Sequence, residues 1–287
     1  MAQVLITGTS KGIGLQTALL FARAGHNVHA TMRNPAGSPE LAQIAAREKL
    51  PITISVIDVD SDASVRDGIA QIRRKHGSID VLVNNAGVER LGSVEEVSLA
   101  DFRAAMETNY FGALRCIQAV VTDMRRRRSG AIINVTSVAG RLANPPMAAY
   151  NASKWALEAL SEALAIEMKP FNVRVAIVEP GIIDTAMARR VENEPDDRSP
   201  YPHRVCFAAL FANSFKNPVP PSLVAEKILQ IAESGTWQLR HPVGPGALPL
   251  LQRRNGMTDE QWIEFNSTDD ETWYRNMGLE LKPSRTA

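Results

Sequence analysis

A doubly wound α/β fold, one parallel sheet with helices on both faces, is the architecture the sequence predicts. Three observations carry it. Short apolar runs alternate with amphipathic stretches from the first residues to about position 185, the pattern of repeated strand-helix-strand units. A glycine-rich turn separates the first strand from the first helix. The apolar run from Ala131 to Thr136 reads as a buried strand.

In order, Gln3 to Thr7 reads as the first strand, and Gly8-Thr-Ser10-Lys11-Gly12-Ile13-Gly14 as a turn leading into a helix that Gly25 closes. Asn27 to Met32, Ile52 to Ile57 and Val81 to Val83 read as further strands, with helices over about 39–49 and 63–76 between them. After Asn84-Asn85-Ala86-Gly87 the pattern predicts one long helix, about Leu99 to Arg127. A strand over Ala131 to Val135, a helix from about 149 to Met168 and a strand over Val173 to Val178 follow, the last closed by Pro180-Gly181. Residues 186–221 are proline-rich with charged and aromatic residues, which suits an irregular or partly helical insertion. Ser222 is a candidate N-cap for a helix to Ser234, and Gln238 to Val243 reads as a last short strand. The expected organisation is a dinucleotide-binding and catalytic domain over 1–244, in which 186–221 form a substrate loop or lid. A tail over 245–287 would pack on it through Trp262, Phe265, Trp273 and Tyr274.

Composition narrows the function classes. The 287 residues carry a net charge of +1, with 45% hydrophobic and 22% charged residues, so nothing global selects nucleic acid or an anionic membrane. The one dense basic cluster, Arg125 to Arg128, suits a solvated helix C-terminus. Two cysteines, Cys116 and Cys206, make neither a disulfide framework nor a zinc site, and no metal site is expected. The N-terminus enters a strand at once without the features of a signal peptide, and no apolar run approaches membrane-spanning length, so a cytoplasmic protein is expected.

The stretch Ser137 to Lys154 carries the chemistry. Tyr150 and Lys154 are four apart and share a helix face, while Ser137 ends a strand. A lysine ammonium one turn away would lower the tyrosine's pKa, and a serine hydroxyl could hold a substrate oxygen while the phenol exchanges a proton with it. The spacing alone also fits an ordinary helix pair. The glycine turn adds weight: Gly8, Gly12 and Gly14, at the first strand-to-helix junction, let a pyrophosphate approach backbone amides and a helix N-terminus. No acidic residue ends the second strand. Arg33 stands there instead, with Lys11 in the glycine turn, a pair suited to the 2′-phosphate of NADP rather than the free ribose of NAD.

Together these segments resemble the short-chain dehydrogenase/reductase family, in its single-domain, NADP-preferring branch. The motifs are Thr7-Gly8-Thr-Ser-Lys-Gly12-Ile-Gly14, Asn84-Asn-Ala-Gly87, Asn109, Ser137, Tyr150-Asn-Ala-Ser-Lys154 and Pro180-Gly181-Ile-Ile-Asp-Thr185. The resemblance implies a Rossmann-type fold and assigns roles. Tyr150 would be the acid or base and Ser137 the substrate anchor; Lys154 would hold the nicotinamide ribose, and Asn109 a water in a proton relay. Ser10, Lys11, Ile13 and the three glycines would cradle the phosphates, Asp58 would meet the adenine, and Asn85 and Gly87 would line the adenosine side. Pro180, Gly181, Ile183 and Thr185 would flank the nicotinamide. Thr185 could equally be an N-cap and Asp58 a turn former. Pairing through the two long helices, into a homodimer or homotetramer, is also implied.

The expected activity is NADP-dependent hydride transfer to or from a lipophilic or aromatic carbonyl or secondary alcohol. A 3-ketoacyl-thioester reductase uses the same residues, and a sensor or scaffold that binds NADP without turnover is the reading from another class. Phe207, Leu210, Phe211 and Phe215 could form an apolar substrate wall or the buried face of a lid helix.

Overall fold

The computed structural model describes residues 1–193, 199–201 and 203–279. Parts of the expected lid (194–198 and 202) and of the expected tail (280–287) lie outside the described residues. A seven-stranded parallel sheet runs in the order β3-β2-β1-β4-β5-β6-β7. Its strands are β1 (Gln3–Thr7), β2 (Asn27–Met32), β3 (Ile52–Val56), β4 (Val81–Asn84), β5 (Gly130–Val135), β6 (Val173–Pro180) and β7 (Arg240–Val243). The order reverses between β1 and β4, whose C-terminal ends therefore open a crevice for a ligand.

Alternation along each strand divides the core. Val4, Ile6, Val81, Val83, Ala131, Ile133, Ala176 and Val178 face α1 (Gly12–Arg23) and the later helix over Pro221–Ser234. Leu5, Leu82, Ile132, Val173 and Val175 face α3 (Asp62–His76) and the helices over 112–127 and 148–168. The period of two thus serves two helical layers at once, and each fully buried Leu or Ile contributes about 1.5–3 kcal/mol by leaving water. Between β2 and β3, α2 (Glu40–Glu48) buries only Leu41.

The long helix expected over 99–127 is interrupted. It comprises α4 (Leu99–Met106), a π turn over Glu107–Phe111 and α5 (Gly112–Arg127). The wide turn is what side-chain contacts demand: Thr108 donates to Asp60 Oδ2 at 3.0 Å, while Asn109 turns inward to bond Val88 and Ser153. After β5 come a 3₁₀ turn at Val138–Gly140 and α6 (Ala148–Met168). The insertion after β6 folds into α7 (Ala186–Asn193) and α8 (His203–Ser214). The next helix, α9 (Pro221–Ser234), has Pro220 at the cap position and no side-chain cap, so Ser222 lies inside its first turn. Proline at the first helical position, with φ already set, fixes that start.

Three short helices end the described chain: α10 (Ala247–Asn255), α11 (Asp259–Asn266) and α12 (Asp270–Asn276). Trp262 and Leu251 pack on Leu142, and the Trp262 indole N–H donates to the Ala143 carbonyl at 3.1 Å. Trp273 and Tyr274 pack on Cys206 of α8. Among the described residues no helix is long and apolar enough to cross a membrane.

Candidate active site

The crevice at the switch point is a cleft of about 450 Å³, lined by residues from the predicted motifs except Asn109, which is buried behind it. Its floor is the turn between β1 and α1. Gly8 and Gly12 have φ of +70° and +59°, the left-handed region that favours glycine. The three glycines have different reasons. A Cβ on Gly8 would stand 2.7 Å from Ala86 Cα, and one on Gly14 only 2.2 Å from the Gly8 carbonyl oxygen. A Cβ on Gly12 would meet nothing closer than Thr185 Cγ2 at 3.4 Å, across the cleft. Two glycines therefore let the turn fold, and the third keeps the helix N-terminus open. Lys11, the N-cap of α1, makes no side-chain cap, so the first amides of the helix are available to an anion.

Asn85 supports this turn rather than pointing out of it. Its side-chain amide donates to the carbonyls of Thr7 (2.9 Å) and Gly8 (3.1 Å), while its backbone N–H and that of Ala86 both donate to Thr7 Oγ1 at 3.0 Å. Thr7, a residue to which the sequence assigned no side-chain role, is thus the knot between the ends of β1 and β4. Arg33, at the end of β2, is largely exposed on the cleft and lies 3.9 Å from Asp60. Asp58 borders the cleft and turns the chain, its Oδ1 accepting from the Asp60 N–H at 3.2 Å.

On the opposite side, Ser137 follows β5 with extended backbone, and Tyr150 and Lys154 project from the first turns of α6 into the same cleft. The Ser137 hydroxyl accepts from the Ala139 N–H at 3.2 Å and donates to the Pro180 carbonyl at 3.4 Å, joining the two loops that flank it. Lys154 is 4% exposed, and its Nζ donates to the Val135 carbonyl at 2.9 Å. Burial brings its pKa down to about 8, while the Glu158 carboxylate pulls the other way.

Burial likewise pushes the Tyr150 phenol up to about 12; the neighbouring Ser137 hydroxyl lowers it and the Glu89 carboxylate raises it further. The sequence led us to expect a tyrosine lowered by Lys154. Lost hydration outweighs that effect here, since the ammonium turns to a carbonyl and lies 5.6 Å from the phenol ring centroid. A neutral phenol is the form that can give a proton.

Asn109 sits beside Lys154 and faces Gly87, whose missing Cβ would stand 3.3 Å from Asn109 Oδ1 and 3.6 Å from Lys154 Nζ. The Asn109 side chain brackets Val88, accepting from its N–H and donating to its carbonyl, both at 2.8 Å. It also donates to Ser153 Oγ at 2.8 Å, so both of its amide hydrogens are committed to protein. Gly181 donates to the Val243 carbonyl at 2.9 Å, and Ile183 belongs to the core below the cleft. Thr185 both lines the cleft and caps α7, accepting from the Ala188 N–H at 3.2 Å. The outer cleft is apolar: Met147, Val191, Phe207 and Phe211 form a buried cluster. Phe207, Leu210 and Phe211 also line the cleft, so the two readings of these aromatics describe one helix face; Phe215 packs against that cluster beneath the Arg189 guanidinium.

The short chain dehydrogenase family model matches residues 2–196. The chain belongs to the short-chain dehydrogenase/reductase family. It is 32% identical over 267 residues to oxidoreductase BOA17 of Botryotinia fuckeliana, covering 91% of this chain and 96% of that one. It is 38% identical over 182 residues to a 3-ketodihydrosphingosine reductase of Bacteroides thetaiotaomicron, and that match spans 63% of this chain and 64% of the relative, under two thirds of each. Among solved structures, an actinorhodin polyketide ketoreductase with NADPH superposes with a TM-score of 0.77, at 27% identity over 85% of this chain and 96% of that one.

Members of the family are oxidoreductases. Sequence reasoning missed Thr7, Glu89, Glu158 and Glu179. For the last, a signal was present: a glutamate inside the otherwise apolar run Val175 to Pro180.

Proposed function

We propose that the chain is an NADP(H)-dependent reductase or dehydrogenase acting on a lipophilic or aromatic ketone or aldehyde and the matching alcohol. The observation that carries this reading is the meeting of Ser137, Tyr150 and Lys154 in one cleft with an uncapped helix N-terminus and an apolar wall. The open space at Gly12 and the free start of α1 fit a pyrophosphate, and Lys11 and Arg33 add positive charge on the 2′-phosphate side. The solved relative with NADPH supports the same choice of cofactor.

The chemistry that NADPH would supply when bound is a hydride for the carbonyl carbon. Ser137 holds the carbonyl oxygen by a hydrogen bond. Tyr150, neutral at ordinary pH, donates its proton to that oxygen as negative charge develops. The Lys154 ammonium stabilises the phenolate left behind and holds the nicotinamide ribose, while the Asn109 segment keeps that lysine and a relay water in register. Met147, Phe207 and Phe211 exclude water from the reacting atoms. In this division of labour residues 1–244 do the chemistry, α7 and α8 cover the substrate, and the tail braces that cover. Assembly as a homodimer or homotetramer belongs to the same reading, and the exposed Phe111, Trp155 and Ile166 support it.

The test is a panel of steroid, retinoid, quinone, aliphatic, aromatic and acyl-thioester carbonyls assayed with NADPH and NADH, with Tyr150→Phe beside the native chain. The substitution should lower kcat by about 10²–10⁴-fold and leave NADPH binding nearly unchanged. Native turnover that survives the loss of the phenol would contradict the proton-donor role. Preference for the acyl-thioesters would select the ketoacyl reading instead.

A further inference from the structure

Behind Lys154 lies a group of charged side chains that proton transfer itself does not use. Glu158, one helical turn beyond Lys154, is 4% exposed. Its Oε1 accepts from the Thr136 hydroxyl at 2.6 Å and its Oε2 from Arg240 Nε at 3.0 Å. Glu179, next to Pro180 at the end of β6, is fully buried; its Oε1 accepts from Arg141 Nη1 at 3.2 Å and lies 3.8 Å from Arg240 Nε, and its Oε2 has no hydrogen-bond partner. Glu162, more exposed, takes the other side of the Arg240 guanidinium at 2.7 Å. The charged groups facing Glu158 are thus Lys154 and Glu162 on its own helix, Arg141 after the 3₁₀ turn, Glu179 on β6 and Arg240 on β7.

Buried carboxylates cost free energy unless fully paired, and apolar residues of the same volume would often be as stable or more so. What distinguishes these is where they attach. Thr136 is the residue before Ser137, Glu179 the residue before Pro180, and Glu158 the residue one turn after Lys154. The contact is close: a Cβ on Gly140, in the turn that follows Ser137, would stand 2.9 Å from Glu158 Cγ and 3.1 Å from the Lys154 carbonyl oxygen.

We propose that Glu158 is a positioning residue for proton transfer: through Thr136 and Arg240 it holds Ser137 and the Pro180 loop against the helix carrying Lys154, and its charge keeps that lysine protonated. The proposal rests on the reading of Ser137, Tyr150 and Lys154 given above. Electrostatics agree with the geometry. Burial lowers the pKa of Lys154, and the Glu158 carboxylate opposes that. Burial raises the Glu158 carboxyl above its ordinary pKa, and the Thr136 hydroxyl, Arg240 and Arg141 work against that; burial and repulsion from Glu158 push Glu179 up to about 7.

Glu158→Ala and Glu158→Gln separate the two roles. Each is assayed in the full-length protein for kcat and KM against pH with the best carbonyl of the panel. NADPH affinity is followed against pH by nicotinamide fluorescence, a readout that needs no substrate. The alanine variant should lose on the order of 10²-fold in kcat through misplacement of Ser137. Its high-pH limb should move about one unit toward acid, because burial then acts on Lys154 without the opposing carboxylate. The glutamine variant keeps an acceptor for Thr136, so it should recover part of kcat while retaining the shifted limb, and it serves alone if the alanine variant does not fold. Limbs that coincide with the native one in both kcat and NADPH affinity, with only the melting temperature lowered, would overturn the proposal and leave a mechanical brace. Failure of the underlying reading shows elsewhere, as full turnover in Tyr150→Phe.

Discussion

The two sides of the cleft, proposed above to take cofactor and substrate, are built by different means. The cofactor side is held by backbone: the turn after β1 is fixed by left-handed glycines, by carbonyls that bond Asn85 and by amides that converge on Thr7, all at 2.9–3.1 Å. The substrate side is held by side chains: Met147, Val191, Phe207 and Phe211 pack on one another, and Trp262, Trp273 and Tyr274 of the tail press on the loop and helix behind them. Backbone construction tolerates few residue types and hardly any change of shape. A wall of packed aromatics can be refilled with other apolar residues as long as its volume is kept. One side of the cleft can therefore stay fixed while the other changes the molecule it accepts.

The comparison breaks most sharply at Gly14. An added methyl would stand 2.2 Å from the Gly8 carbonyl oxygen, so Gly14→Ala must displace the turn. NADPH affinity should fall by more than about 10²-fold, equivalent to roughly 3 kcal/mol, as a fluorescence titration would show. Unchanged affinity would mean that the turn is softer than its contacts indicate. Arg33→Ala probes the same side without moving backbone. It should weaken NADPH by about 10–100-fold, the value of a charge-assisted bond, and leave NADH almost untouched. Equal losses for both cofactors would remove Arg33 from the 2′-phosphate.

In the proposed mechanism Lys154 keeps its proton to stabilise the Tyr150 phenolate, and its pKa is brought down to about 8. Carbonyl reduction should therefore be flat below that value and decline as pH rises through it, by about tenfold per unit. A profile flat to pH 10 would show that another group serves. The smallest effect belongs to the substrate side. Trp262→Phe removes the indole donor to the Ala143 carbonyl, a loss of about 1 kcal/mol. It should raise the substrate KM a few-fold with NADPH affinity unchanged; a matching loss of NADPH affinity would mean that the two sides are not separable.

The same contrast explains what could be read from the sequence. The parallel sheet, its order of elements and the residues gathered in the cleft were legible because apolar strands, glycine turns and the Tyr150–Lys154 spacing each answer to a local geometric need. The interruption of the long helix was not, since Glu107 to Phe111 contain no breaker and the π turn exists to satisfy Asp60, Val88 and Ser153, contacts made far along the chain. Nor was the Tyr150 pKa, which depends on burial that no spacing reveals. The start of α9 was misread because serine and proline both open helices, and here proline took the first position. Glu158 was hidden for a related reason: on a helix of 21 residues it looks like one more surface glutamate until β7 brings Arg240 beside it.

The π turn has a further consequence. A wide turn accommodates one residue more than a regular helix over the same length, so it is in effect a single-residue insertion with both flanking helices left in phase. The buried faces of α4 and α5 owe nothing to that extra residue, whereas the inward aim of Asn109 does. Scaffold and site are thus uncoupled at one point of the chain. A lineage could gain or lose the Asn109 contact through one codon's insertion or deletion, without redesigning the core on either side.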